Sequence, residues 1–192
     1  YMVPGLFAYA AIFIVLNVAQ AFATEREHGI LRRINLTPTS SSEVILGNVV
    51  SNMIVGAVQV VIVYVVSGLM GFNAQTTLPG IVYAMTIVLL LVLCNVGFGL
   101  ITASVVKSSG AATEISFVFI LPQMLLGTFV PVSQAVARFV PSYYVTDALT
   151  SLFLRGAPLS SPVIMYDLTV VAVVGIVTVV TGIAVFQRFG KG

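Results

Sequence analysis

The chain has 192 residues, of which 59% are hydrophobic and 7% charged, and its mean hydropathy is +1.12. A soluble domain carries roughly 25% charged residues, so eight basic and six acidic side chains exclude an ordinary water-soluble fold. A lipid-facing chain needs charge only in its water-exposed loops. The composition therefore predicts an integral membrane protein. Its single cysteine, Cys94, excludes an intramolecular disulfide and a multi-cysteine zinc site.

Five apolar segments are long enough to cross a bilayer, since a helix needs about 20 residues to span a hydrocarbon core about 30 Å thick. They are predicted at 3–23, 44–71, 79–105, 112–130 and 163–186. The uncharged run 44–106 must hold two of them, joined by a hairpin at the Gly- and Pro-containing segment 71–80. The apolar runs lack the alternation of barrel strands, and in lipid only helices or closed barrels satisfy the backbone. We therefore predict an all-α transmembrane bundle, with 1–192 as a single domain.

The cations divide unevenly between the two sides when the chain alternates through five spans. One side holds Arg26, Arg32, Arg33, Lys107, Arg188 and Lys191, and the other holds Arg138 and Arg155. The more basic side is expected to be cytoplasmic, which predicts a multi-pass protein of the cell membrane with a cytoplasmic C-terminus. The N-terminus would then lie outside. Because Tyr1 is not an initiator methionine, we expect a further span upstream.

No catalytic centre is indicated by the sequence. His28 is the only histidine and lies in a charged loop, so a Ser-His pair or a multi-histidine metal site lacks its second member. The segment around Gly190 and Lys191 lacks the spacing of a nucleotide-binding loop. We therefore expect a chain that is not an enzyme, holds no cofactor and cannot hydrolyse ATP alone.

The first cytoplasmic loop predicts a short amphipathic helix. Ile30, Leu31 and Ile34 lie on one side of a helical wheel, and the charged residues lie elsewhere. Pro38 would end this helix, and a capping box at 40–43 would start the next span. An alternative is a charged helix at the membrane surface whose arginines only fix the orientation.

Lys107 and Glu114 lie two helical turns apart at the cytoplasmic start of the fourth span. Lys107 can extend to the interface, whereas Glu114 would face protein or a water-filled cavity. An intramembrane acid is a candidate for transport or gating. The alternative is a structural role, because a helix start favours an anion.

Further positions predict contacts within the bundle. The small or polar residues Asn95, Gly97 and Gly99 favour close helix packing, and Asn17 and Gln20 can hydrogen-bond across helices. The proline-punctuated segment 130–162 predicts a re-entrant or interfacial element on the outer side. Its Tyr143 and Tyr144 suit an aromatic belt as well as they suit substrate contact.

Several motifs together resemble a known family. The first is Glu25-Arg26-Glu27-x-Gly29-x-Leu31-x-Arg33-Ile34, followed by Thr37-Pro38 and Glu43-x-x-x-Gly47. Later come Lys107-Ser108-Ser109-Gly110-Ala111-Ala112-Thr113-Glu114-Ile115-Ser116, Leu121-Pro122, Pro131 and Pro141-Ser142-Tyr143-Tyr144-Val145-Thr146-Asp147-Ala148-Leu149. In this order they resemble the membrane (permease) subunits of type-2 ATP-binding-cassette (ABC) exporters, over essentially the full chain.

The resemblance implies a six-span subunit, of which this chain carries the second to sixth spans. It also implies a second permease subunit, identical or different, and a cytoplasmic ABC ATPase that holds ATP and Mg²⁺. The expected function is ATP-driven export by alternating access. The substrate would be a small molecule, lipid or glycan of lipophilic or amphipathic character. No nucleic-acid partner is expected. An extracytoplasmic re-entrant element is implied as well.

In such exporters the first cytoplasmic loop is a coupling helix seated in a groove of the ATPase. The implied coupling residues here are Glu25, Arg26, Glu27, Gly29, Ile30, Leu31, Arg32 and Arg33. The apolar pair would fill the groove, the charged residues would fix the register, and Gly29 would allow close approach. Two other functions stay open, namely a proton-coupled carrier centred on Glu114 and a non-transporting membrane scaffold.

Overall fold

The computed structural model describes residues 2–28, 41–129 and 134–189. The helices are α1 (Met2–Ile12), α2 (Ile14–Glu27), α3 (Ser41–Leu69), α4 (Leu78–Val105), α5 (Ser109–Met124), α6 (Gln134–Ala137), α7 (Pro141–Phe153) and α8 (Pro162–Phe189). A π-helical turn, Leu125–Phe129, continues α5. The described ranges contain no strand, and the prediction of an all-α fold is confirmed.

Five helical segments are long and apolar enough to cross a membrane, as the hydropathy pattern predicts. They are Met2–Glu27, Ile45–Leu69, Leu78–Val105, Ser109–Gly127 and Pro162–Arg188. The first continues to Glu27 rather than ending near residue 23. It is also interrupted at Phe13, whose carbonyl accepts a hydrogen bond from Leu16 N–H at 3.1 Å, three residues on. No proline or glycine marks this tightening in the sequence.

The hairpin between α3 and α4 lies where its glycine predicts it. Gly71 has a φ of +87°, a left-handed conformation that a side chain would disfavour. Its N–H donates to Gly68 O, and Phe72 N–H donates to Ser67 O, each at 3.0 Å. These two bonds form a Schellman motif, which satisfies carbonyls at the end of α3. Pro79 then occupies the first turn of α4, where its missing N–H costs nothing.

Helix α4 is the centre of the bundle, and its glycines allow close packing on two sides. A Cβ at Gly97 would lie 2.5 Å from the backbone carbon of Thr178 in α8. A Cβ at Gly99 would lie 2.6 Å from Cβ of Val18 in α2. Thr178 Oγ1 also donates to Cys94 O at 3.3 Å, across the α4–α8 contact. The predicted close packing at Gly97 and Gly99 is therefore confirmed, and it matches the small-residue interfaces of membrane helices.

Helix α3 packs against the bundle on one side only. On its other side Val50, Ile54, Val58 and Ile62 are each more than half exposed. They recur at a spacing of four residues, so they form one apolar stripe along the helix. Such a stripe suits contact with acyl chains.

The outer part of α5 is irregular and is held by α7. Pro122 lies inside α5, and the π-helical turn begins three residues later. At this point Ser142 Oγ, in the first turn of α7, donates to Gln123 O at 2.8 Å. A Cβ at Gly127 would lie 2.8 Å from Tyr143 N, so the π-helical turn lies close to the start of α7.

Candidate functional site at the ends of α2 and α5

Helices α2, α4 and α8 end on the same side of the bundle. The rings of Phe22 and Phe186, near the ends of α2 and α8, are 4.6 Å apart. Among the described cations, this side holds Arg26, Lys107 and Arg188, and we call it the basic end. At the other end, which holds Arg138 and Arg155, the rings of Phe7 and Phe72 pack against Phe153. This division agrees with the predicted one for every cation within the described ranges.

At the basic end, Glu27 joins the last turn of α2 to the first turn of α5. Its Oε1 accepts the backbone N–H of Ser109, and its Oε2 accepts the Ser109 hydroxyl, both at 3.1 Å. Ser108 caps the same helix, because its Oγ accepts Ala111 N–H at 3.2 Å. A carboxylate at a helix N-terminus satisfies free N–H groups and opposes the positive end of the helix dipole.

The preceding residue, Arg26, binds the other side of the same connection. Its Nη1 donates to the carbonyl oxygen of Val106, the residue that caps the C-terminus of α4. A cation is favourable there, because the last carbonyls of a helix carry partial negative charge. Arg26 and Glu27 thus hold the short α4–α5 connection from both sides. We call these two residues, with Val106 and Ser109, the clamp.

Contacts deeper in the bundle reinforce the clamp. Gln20 Nε2 donates to Thr113 Oγ1 at 2.9 Å, which is a second side-chain bond between α2 and α5. Ala19, Ala23 and Ala112 are fully buried in one small cluster, so the two helices approach closely. The predicted hydrogen bond from Gln20 across helices is confirmed, whereas the other predicted residue of α2, Asn17, is exposed. These contacts fix α2 and α5 to each other at this end of the bundle.

Comparison with known proteins assigns the family. The family model described as ABC-2 type transporter matches residues 1–154. The chain belongs to the ABC-2 type transporter family. It is similar to the probable multidrug ABC transporter permease YbhR of Escherichia coli, in strain K12 and in O157:H7, with 27% identity over 199 residues in each case. These alignments cover 100% of this chain and 52% of each relative, so the chain spans about half the length of the curated relatives it matches.

The structure of this ABC-2 chain places part of the predicted coupling segment. Glu25, Arg26 and Glu27 form the last turn of α2. Glu25 is partly buried, and its Oε2 has no hydrogen-bond partner within the described ranges. His28 is exposed and contacts Thr24 O through Nδ1 at 2.8 Å. The remaining coupling residues, Gly29, Ile30, Leu31, Arg32 and Arg33, lie outside the described residues, as does Ser40 of the capping box. The coupling helix itself stays a prediction.

The second predicted pair, Lys107 and Glu114, does not form a contact site. Lys107 is exposed in the α4–α5 connection, next to the clamp. Glu114 is exposed on α5, on the same face as Phe117 and Val118. The single chain therefore does not bury Glu114, and its gating role stays a prediction.

At the opposite end, α6 and α7 connect α5 to α8. The 13 residues of α7 extend for about 20 Å, which is too short to cross the membrane. Its buried face includes Tyr144, whose hydroxyl donates to Arg138 O at 3.0 Å. Burial raises the pKa of Tyr143 and of Tyr144, so both phenols stay protonated at neutral pH. The predicted re-entrant element corresponds to this short-helix region, although its depth in a bilayer stays a prediction.

One buried acidic residue received no role from the sequence. Asp167 lies in the second turn of α8 and is only 3% exposed. Its signal was available, because it is the only acidic residue of α8 and lies among apolar neighbours. The sequence does not reveal which face of α8 packs against the bundle, so it does not predict that Asp167 is buried.

Proposed function

We propose that this chain forms the membrane subunit of an ATP-driven exporter. Membership of the ABC-2 type transporter family supports this function. So do five helices long enough to span a bilayer. A separate ABC ATPase would bind and hydrolyse ATP with Mg²⁺, and a second permease subunit would complete the pathway.

The clamp is the observation that carries the proposal. A coupling segment must transfer force from an ATPase to the spanning helices, and a loose loop would absorb that force. Here residues 28–40 connect α2 and α3, and the last turn of α2 binds the α4–α5 connection through Arg26 and Glu27. A push on that segment would therefore move α2 and α5 together. Movement of these helices between two arrangements would give alternating access.

The cargo we propose is a lipophilic or amphipathic small molecule. The curated relatives are described as probable multidrug permeases, which supports this class. The transport direction, outward, rests on the resemblance to type-2 exporters.

The coupling assignment is tested at the apolar pair Ile30 and Leu31. The chain is co-expressed with a candidate ABC ATPase, and the complex is purified and reconstituted. We expect Ile30→Asp with Leu31→Asp to leave membrane insertion intact and to abolish ATPase co-purification and ATP-driven transport, because charged residues would not enter an apolar groove. The matched control is Ile30→Leu with Leu31→Ile, which keeps both functions. Undiminished transport by the aspartate variant would refute the assignment.

A proton-coupled carrier centred on Glu114 is the second candidate. The observation that favours it is the position of this acid on a face shared with Phe117 and Val118. A gene for an ATPase with a Walker A loop beside this one supports the exporter. Transport driven by a pH gradient without ATP, and lost in Glu114→Gln, would support the carrier.

A further inference from the structure

Asp167 and Asp147 bring two carboxyl groups together where α7 packs on α8. The rings of Tyr144 and Tyr166 are 6.2 Å apart, so this part of α7 lies beside the start of α8. Asp147 follows Tyr144 by three residues and therefore lies on the same face of α7. Asp167 follows Tyr166 directly, so both acids lie within one helical turn of the point where α7 meets α8. Two like charges at a buried helix contact repel each other.

The surroundings of Asp167 provide no counter-charge. Its Oδ2 is inaccessible to solvent and has no hydrogen-bond partner within the described ranges. No ion pair within those ranges joins Asp167 to a cation, and Arg138 and Arg155, which share this end, are exposed. An ionised carboxylate buried without a partner is strongly disfavoured, more so in a membrane than in a soluble core.

The tyrosines around Asp167 do not satisfy it either. Tyr143 and Tyr144 of α7, Tyr83 of α4 and Tyr166 of α8 are its titratable neighbours besides Asp147. The hydroxyl of Tyr144 donates to Arg138 O, and that of Tyr83 donates to Met165 Sδ at 3.8 Å. These two donors are therefore directed away from Asp167, and no hydrogen bond within the described ranges joins Tyr143 or Tyr166 to it. A bound proton is then the remaining way to neutralise the Asp167 carboxylate.

We infer that Asp167 and Asp147 form a proton-binding site at the end of the bundle opposite the clamp, where one bound proton keeps α7 docked on α8. The proton comes from solvent at that end and converts the Asp167 carboxylate into a carboxyl group. When the proton leaves, a carboxylate without a partner is left buried at the α7–α8 contact and weakens it. This site acts within the single chain and does not depend on an ATPase.

Infrared spectroscopy of the purified full chain in lipid nanodiscs tests this site directly. With six acidic side chains in the chain, a protonated-carboxyl C=O band can be assigned by substitution. We expect such a band at neutral pH, where an ordinary aspartate with a pKa of about 3.9 is ionised. The band should disappear in Asp167→Asn and persist in Glu43→Gln, a control on an exposed acid. It should also disappear from the unsubstituted chain as the pH is raised.

A second variant separates a proton site from an acid that is merely buried. Asp147→Asn removes the repelling charge, so Asp167 should then ionise at a lower pH.

Three results would overturn the site. The first is the absence of an Asp167 carboxyl band at neutral pH, and the second is an Asp167 band that Asp147→Asn does not shift. The third is an ionised Asp167 whose signal responds to added monovalent salt, which would indicate a bound metal cation instead. None of these results bears on ATPase coupling, so this site and the proposed function can fail separately.

Discussion

Glu27 and Asp167 are both acidic residues at a junction of two helices, and they differ in what surrounds them. Glu27 is exposed and accepts two hydrogen bonds from Ser109, so its junction is fixed by matched donors. Asp167 is buried and has an oxygen without a donor within the described ranges. A carboxyl group can therefore stabilise one helix contact through matched donors and make another contact dependent on its own protonation.

Helix α8, which carries Asp167, packs closely on the central helix α4. Disrupting this α4–α8 contact should cause the largest loss in the free energy of unfolding. Gly97→Ala places a Cβ 2.5 Å from the backbone of Thr178, which no rotamer change can relieve. We expect a loss of about 2 kcal/mol in the free energy of unfolding, in the range of overpacked cores. Gly47→Ala is the matched control, because nothing lies within 4 Å of its added Cβ. Reversible denaturation in mixed micelles measures both variants, and equal stabilities would contradict the packing argument.

Weakening the clamp should cause a smaller loss of stability, at the α2–α5 contact, and leave the α7–α8 contact unchanged. Glu27→Gln keeps the size of the side chain but removes the charge that favours the α5 N-terminus. We expect a loss of about 1 kcal/mol in the stability of the α2–α5 contact and, under the proposed function, slower ATP-driven transport. Transport per reconstituted complex is the measurement, compared with that of the unsubstituted chain. A change in the Asp167 carboxyl band in Glu27→Gln would show that the two ends are not independent.

The smallest expected effect concerns the deeper bond between Gln20 and Thr113. A double-mutant cycle with Gln20→Ala and Thr113→Val isolates this pair. We expect a coupling energy of about 0.6 kcal/mol, the average for hydrogen bonds between membrane helices. Denaturation in micelles measures this coupling energy. A value near zero would leave Arg26 and Glu27 as the main polar links between α2 and the helices beside it.

The sequence predicts the spans well, because the cost of exposing backbone and charge to lipid dominates every other term. The hairpin at Gly71 and the close contacts at Gly97 and Gly99 are likewise local signals, of turn chemistry and of side-chain size. By contrast, the clamp joins Glu27 to Ser109, 82 residues apart in the chain, and no periodicity encodes such a pairing. The burial of Asp167 likewise depends on which face of α8 turns inward, and the interruption at Phe13 has no sequence signal.

The irregular part of α5 has a mechanical consequence. Pro122 lacks an N–H and so removes one bond from the helix ladder, and the π-helical turn follows directly. One end of α5 is attached to α2 by Glu27, and the other is attached to α7 through Ser142 and Gln123. The regular hydrogen-bond ladder of α5 is thus interrupted between its contacts with α2 and with α7. Prolines and π-helical turns are where helices bend, so the two ends of α5 need not move as one rigid rod.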